Sequence, residues 1–303
     1  MTSPWLMLAG AGWATIFGLS FLITKGALVT FSPFQLLFLR FALATAALAL
    51  LWAARAIKLE FRGRPRLPLV LVCLFQPMLY FTFETFGLRE TASSTAGLIL
   101  GSLPAAVAAL SVPMLKERLS ARAAVGIALS VAGTALIVVH GASSGADSLR
   151  GIVLILAALA SAAFYNIYSR RARASYGPVE TTFAMMASGA ILFGLLAAVE
   201  LVAGGAALPR PRPADWGAVL YLGLLSSVLA FFLVNLSLSR LKASQASIFG
   251  TIVTLVSLVA GLAVRGERIG LAGAIGAAAI VAGVLAANSR ERLAGKERGS
   301  GRL

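Results

Sequence analysis

Two ionisable residues stand alone inside long apolar runs: Arg40, within PFQLLFLRFALATAALAL, and Glu84, within LYFTFETFGL. A guanidinium offers several donors to a carboxylate, and a carboxylate holds an ammonium in the same way. An unpaired charge in hydrocarbon costs several kcal/mol, so the simplest resolution is that each neutralises the other. Arg40 is about six residues from the end of its run and Glu84 about four. At about 1.5 Å of rise per residue that puts them at similar depth. The expectation is an intramembrane ion pair of Arg40 and Glu84. One account of such a pair is packing alone; the other is that Arg40 or Glu84 faces a pathway and engages a substrate carboxylate or ammonium.

Aromatic and polar residues recur around them at spacings of three and four, which puts each set on one helix face. The sets are Trp13, Phe17 and Ser20; Gln76, Tyr80, Phe83 and Glu84; Ser161, Tyr165 and Tyr168, with Asn166 nearby; Ser227, Phe231 and Asn235; and Ser244, Ser247, Thr251 and Thr254. All but Ser20, Ser161, Ser227, Thr251 and Thr254 form the candidate substrate-binding set. Core packing or an interfacial belt is the ordinary account of the rings, and close helix contact that of the hydroxyl row. Stripes of rings beside polar groups in both halves favour a cavity for a solute with an apolar body and a zwitterionic head.

The chain lacks the residues for most other chemistry. His140, its one histidine, ends an apolar run, and its two aspartates, Asp147 and Asp215, fall in connectors. No His/Cys cluster suits a metal, and no Gly-rich loop with a following Lys suits a phosphate. The constellation of a membrane-embedded hydrolase is missing, as is the ring of acids expected of an ion channel. The expectation is no enzyme, no metal and no cofactor. Cys73 is the single cysteine, which excludes an intrachain disulfide.

The elements that must position these residues follow from composition. Of the 303 residues 59% are hydrophobic and 12% charged, half the charge that a soluble surface needs, so the partner over most of the surface is the lipid bilayer. Ten runs of about 20 residues are long enough to cross it: 5–24, 34–54, 68–88, 92–115, 122–140, 151–169, 179–202, 215–238, 243–264 and 269–288. Lipid satisfies no backbone group, so each is a helix. The net charge of +15 sits in short clusters between the runs, a signal of orientation rather than of nucleic-acid binding. With the N-terminus inside, the inner segments hold eighteen of the 26 Lys and Arg and the outer ones seven. Both termini are therefore expected in the cytoplasm. No basic residue precedes Lys25, so the first run reads as a retained helix rather than a cleaved signal.

The segment 117–133, ERLSARAAVGIALSVAG, returns at 267–283 as ERIGLAGAIGAAAIVAG, with eight of seventeen residues identical. The same offset of 150 aligns Phe81 with Phe231, Leu88 with Leu238 and Ser94 with Ser244. The chain reads as a duplicated unit: residues 1–140 and 151–288 as five-helix repeats, 141–150 as connector, and 289–303 as a disordered cytoplasmic tail. Five is odd, so the second copy enters the membrane inverted. The fold class is all-α integral membrane, ten transmembrane helices as two inverted five-helix repeats. Such repeats around a midplane site give alternating access. Glycines 126, 133, 276 and 283 would serve a tight contact between spans five and ten, or between the protomers of a homodimer.

Arg40-Phe41 in the second span, Pro104 in the fourth, and Glu117-Arg118 leading to Gly126 and Gly133 resemble the drug/metabolite transporter superfamily in its ten-helix EamA-type branch. Glu267-Arg268, Gly276 and Gly283 repeat the last of these. The resemblance covers nearly the whole chain and is greatest to bacterial exporters of aromatic amino acids. It implies a secondary transporter of the bacterial inner membrane that exports small metabolites, aromatic or other apolar amino acids among them, with other metabolites or drugs as the alternative. Small four-helix relatives bind cations through a glutamate in the first span. The first span here has no acid, which argues against cationic drugs.

The charge asymmetry yields a test of orientation. A single cysteine introduced at residue 60 should be shielded from a membrane-impermeant thiol reagent in intact cells and react once the membrane is opened. Labelling from outside would reverse the assignment.

Overall fold

The computed structural model describes residues 4–115, 120–143, 147–205, 207–240, 243–267 and 270–288. Every apolar run is helical, and among these residues there is no strand. Spans one and two are Pro4–Ala27 and Pro33–Ala53. Span three runs from Arg66 to Glu90, span four from Ser93 to Leu115, and span five is Ala121–Ser143. Spans six and seven are Leu149–Ala172 and Pro178–Val202, and span eight runs from Pro213 to Arg240. Spans nine and ten are Ala243–Arg265 and Leu271–Asn288. The expected tail, 289–303, lies outside the described residues, as do Glu117, Arg118 and Arg268.

Local sequence explains where the helices begin. Ser32 accepts the Gln35 amide at 3.3 Å while the Gln35 side chain accepts the Ser32 amide at 3.1 Å, a reciprocal cap that satisfies two otherwise unpaired donors. Ser148 accepts the Gly151 amide at 3.0 Å to start span six. Pro33, Pro178 and Pro213 occupy first helical positions, where a missing N–H costs nothing.

Three spans are not simple α-helices. Span three is α-helical over Arg66–Cys73, widens to π-helix over Leu74–Tyr80, and resumes at Phe81–Glu90. Span eight is Pro213–Leu220, then π over Tyr221–Ala230, then Phe231–Arg240. The two wide turns end at positions 150 apart, and Phe81 and Phe231 open the following helices. Pro77 lies inside the first and has no N–H to contribute. Span four breaks between Ser93–Leu100 and Leu103–Leu115 at Gly101-Ser102, where a Cβ on Gly101 would run into Thr254 of span nine.

The packing obeys the duplication. Span one lies against nine as six lies against four, one against eight as six against three, and two against eight as seven against three. Spans two and seven, four and nine, and five and ten pair with their own counterparts. Two five-span repeats thus interlock about a pseudo-two-fold axis, which an odd number of spans per repeat makes an inversion. Leu8, Leu50, Val125, Ile191 and Val199 face outward, as a lipid-facing surface requires.

The glycines repeated in sequence form the seam between spans five and ten. A Cβ on Gly133 would sit 2.6 Å from the Gly276 carbonyl oxygen and one on Gly276 2.8 Å from that of Gly133. Gly126 and Gly283 meet in the same way, beside Ser130. The contact is within the chain, between the two helix backbones. Gly276→Val should therefore force the helices apart and destabilise the protein by about 1–3 kcal/mol, as overpacking does. Gly12→Ala, whose Cβ meets nothing within 4 Å, should not. Thermal unfolding in detergent compares them; equal midpoints would mean that the seam tolerates side chains.

Candidate functional site

The interior between spans one, two, three and eight is lined by rings. Trp13 meets Phe17 edge to face at 5.8 Å, Phe17 meets Phe231 at 5.1 Å, and Phe231 meets Phe81 at 6.0 Å. Tyr80 and Phe41 each lie edge-on to Phe81, at 4.9 and 5.1 Å. Such edge-to-face pairs add about 0.5–1.5 kcal/mol each beyond burial. The wide turn of span three is what puts Tyr80 and Phe81 at this junction. Trp13, Phe17 and Tyr80 are half-buried. Phe231 is buried between Phe17 and Phe81, so its ring supports the others rather than presenting a surface.

Arg40 ends this row of rings. Its Nε donates to Ser227 Oγ at 2.7 Å and its Nη2 to Ser226 Oγ at 2.8 Å, and its guanidinium carbon lies 4.2 Å from the Phe81 ring centre. Two hydroxyls and a ring face solvate the charge where water cannot. Both serines belong to the wide turn of span eight.

The expected ion pair of Arg40 with Glu84 is not formed. Arg40 directs its bonded donors to the two serines, and Glu84 has neither a hydrogen bond nor an ion pair among the described residues. The two groups remain within Coulombic range of one another without pairing. What depth does not give is direction around the helix, and the span-eight serines lie on the side that Arg40 faces. Glu84 is 1% exposed and its Oε2 is fully enclosed.

The other expected site residues divide. Gln76 is buried in the span-three wide turn without a hydrogen-bond partner among the described residues. Tyr165 donates to Asn235 Oδ1 at 3.1 Å, and Asn235 Nδ2 donates to Thr182 Oγ1 at 3.1 Å; this closed bridge ties spans six, seven and eight. Asn166 donates to the Ala162 carbonyl at 2.8 Å, within its own helix. Tyr168 stacks on Phe75, 5.4 Å away and 8° from parallel. Phe83 packs against a second cluster, which holds Leu88, Ile99 and Ile152 and which Tyr80 also touches. The side chains of Ser244 and Ser247 lie outside those described. Ser226, Thr182 and Phe81 were missed from sequence: a Ser-Ser pair and one more Phe in an apolar run carry little signal.

A second polar cluster closes the end of the bundle opposite the N-terminus. Glu267 Oε1 accepts from the Ser93 amide at 2.9 Å and the Ser93 hydroxyl at 2.7 Å, and Oε2 accepts from the Ser94 amide at 2.9 Å. A carboxylate from the second repeat thus seats on the positive N-terminus of span four in the first. Asp147 accepts from Ala92 and Thr95 beside it, and Lys25 donates to the Thr91 carbonyl. Burial pushes the Glu267 carboxyl up, but the hydrogen bonds from Ser94 and Ser93 outweigh it and hold it below its usual range. Among the described residues no three of His, Cys, Asp and Glu come together as a metal site would need.

A depressed carboxyl stabilises the fold above its unfolded-state value, and that contribution is lost as pH falls through the folded value. Glu267→Ala should therefore lower stability by about 1–3 kcal/mol at neutral pH, because two amides lose their acceptor. The gap to the wild type should close in acid below the usual glutamate range. Melting midpoints against pH measure it; a gap independent of pH would rule out the carboxylate.

Comparison with known proteins bears on what this architecture is for. The EamA-like transporter family matches residues 4–139 and again 149–289. The uncharacterized transporter YcxC of Bacillus subtilis (strain 168) is 35% identical over 278 residues, 90% of this chain and 89% of its own. A probable terminal-alkyne amino-acid exporter of Streptantibioticus cattleyicolor is 28% identical over 251 residues, 82% of each chain. A solved crystal structure superposes with a TM-score of 0.70 at 22% identity, covering 96% of this chain and 99% of that one, and so shares the fold. Two matched halves, ten apolar helices and the extent of these similarities agree: the chain belongs to the EamA-like transporter family.

Proposed function

We propose that the protein exports small amino acids with aromatic or other apolar side chains from the cytoplasm, by alternating access between its two repeats. The observation that carries this reading is the row of rings from Trp13 to Phe81 ending beside Arg40 and Glu84. An apolar side chain suits the half-buried rings of Trp13, Phe17 and Tyr80. A carboxylate suits the remaining donors of Arg40, and an ammonium suits Glu84, which no neighbour occupies. Two opposite charges that decline to pair with one another are positioned for a zwitterion that pairs with both. The exporter named in Streptantibioticus cattleyicolor supports the amino-acid class.

In this reading residues 1–140 and 151–288 move as units, the protein sits in the bacterial inner membrane with both termini in the cytoplasm, and the end closed by Glu267 is the outer one. Inverted repeats supply the exchange of closed ends.

Counterflow of labelled phenylalanine in proteoliposomes tests the function without assuming a driving force. Phe17→Leu and Tyr80→Leu keep most of the volume and remove the ring. Each should reduce phenylalanine counterflow several-fold more than that of serine. Equal losses for both solutes would make the rings packing elements, and no counterflow by the wild type would remove the amino-acid assignment.

A further inference from the structure

We infer that Glu84 is the proton-carrying group of the transport cycle, so that export is driven by protons moving inward. The inference rests on the transporter reading above and adds its driving ion.

Every other Asp and Glu among the described residues has a hydrogen-bond or ion-pair partner. Glu84, 1% exposed, has none. A buried acid kept only for packing would be expected to take the cation nearest to it, yet Arg40 is bonded instead to Ser226 and Ser227. Enclosed in an apolar surround, a bare carboxylate is strongly disfavoured, and binding one proton removes that penalty.

The surroundings leave the role to Glu84. On the elements packed against this part of span three, the groups in range are Arg40 of span two and Tyr80, one turn back on span three itself. Lys25 of span one is tied to the Thr91 carbonyl, Arg150 of span six pairs with Glu90, and Tyr165 of span six donates to Asn235. The helix Ser93–Leu100 carries no ionisable side chain. Gly87, one turn further on, is held against Ile155 and the Gly151 carbonyl of span six, so Glu84 sits where spans three and six are locked face to face.

The proton balance is simple. With the site open outward, the Glu84 carboxylate takes one proton from the water there and becomes a neutral acid that can be enclosed. With the site open inward, it releases that proton to the cytoplasm and again presents a carboxylate to an arriving ammonium group. Proton and ammonium cannot hold the same oxygens together, so one enters as the other leaves.

Infrared titration of the purified protein reads the group directly. The wild type should show the high-frequency band of a carboxylic acid without a hydrogen-bond partner; it should disappear as pH rises, be absent from Glu84→Gln and return in Glu84→Asp. In proteoliposomes with an acidic lumen, labelled phenylalanine should accumulate above its external concentration as protons leave, and Glu84→Gln uptake should be the same with and without the pH gradient. A wild type without that band, or a Glu84→Gln protein that responds to the acidic lumen as the wild type does, overturns the inference. If the wild type shows no phenylalanine counterflow, the substrate reading fails, and the infrared titration alone decides Glu84. The same titration decides it if Glu84→Gln does not fold.

Discussion

In a hydrocarbon solvent no polar group can turn to water, so each must find its partner inside the protein. That constraint explains why all ten spans are helical, and it governs the places where they are not regular. The wide turns in spans three and eight alter the backbone ladder, and they occur where spans one, two, six and seven cover them. Arg40 is tolerated because the second of these turns presents two hydroxyls and a ring closes over its face. Glu84 is the acid among the described residues for which the constraint is left unmet.

The duplicated sequence gives the bundle its frame. Spans five and ten approach until their backbones touch at paired glycines, and they stand apart from the row of rings. The rings lie instead among spans one, two, three and eight, whose packing partners are exchanged by the pseudo-symmetry. Inverted repeats that trade places, as proposed above, would need both a close seam and a set of exchangeable contacts.

All ten spans were legible in the sequence to within a few residues, because a run of twenty apolar residues has one stable form in lipid. The repeat was legible because Glu-Arg and two glycines at fixed spacing are rare enough to stand out in an alanine-rich background. The partner of Arg40 was not. Depth along two helices fixes a plane, whereas contact also needs azimuth, and a π turn shifts azimuth without leaving a mark in composition. Pro77 hints at the irregularity in span three; nothing in YLGLLSSVLA does so for span eight. The seat of Glu267 on Ser93 and Ser94 was hidden for a different reason: it joins residues some 174 apart in sequence, and only the packing of the two repeats brings them together.

Pro77 also makes the two halves unequal. In span three the wide turn contains a residue with no amide hydrogen, so tightening it to an α-helix cannot recover a bond at that position. Span eight keeps every amide in its wide turn. Rewinding it to an α-helix would turn the downstream segment Phe231–Arg240 relative to the upstream one. The two repeats are related by rotation, and the proline sets the wide turn of one apart from that of the other. Two orientations equal in energy by symmetry alone would become unequal wherever a transition winds one of these turns and not its counterpart.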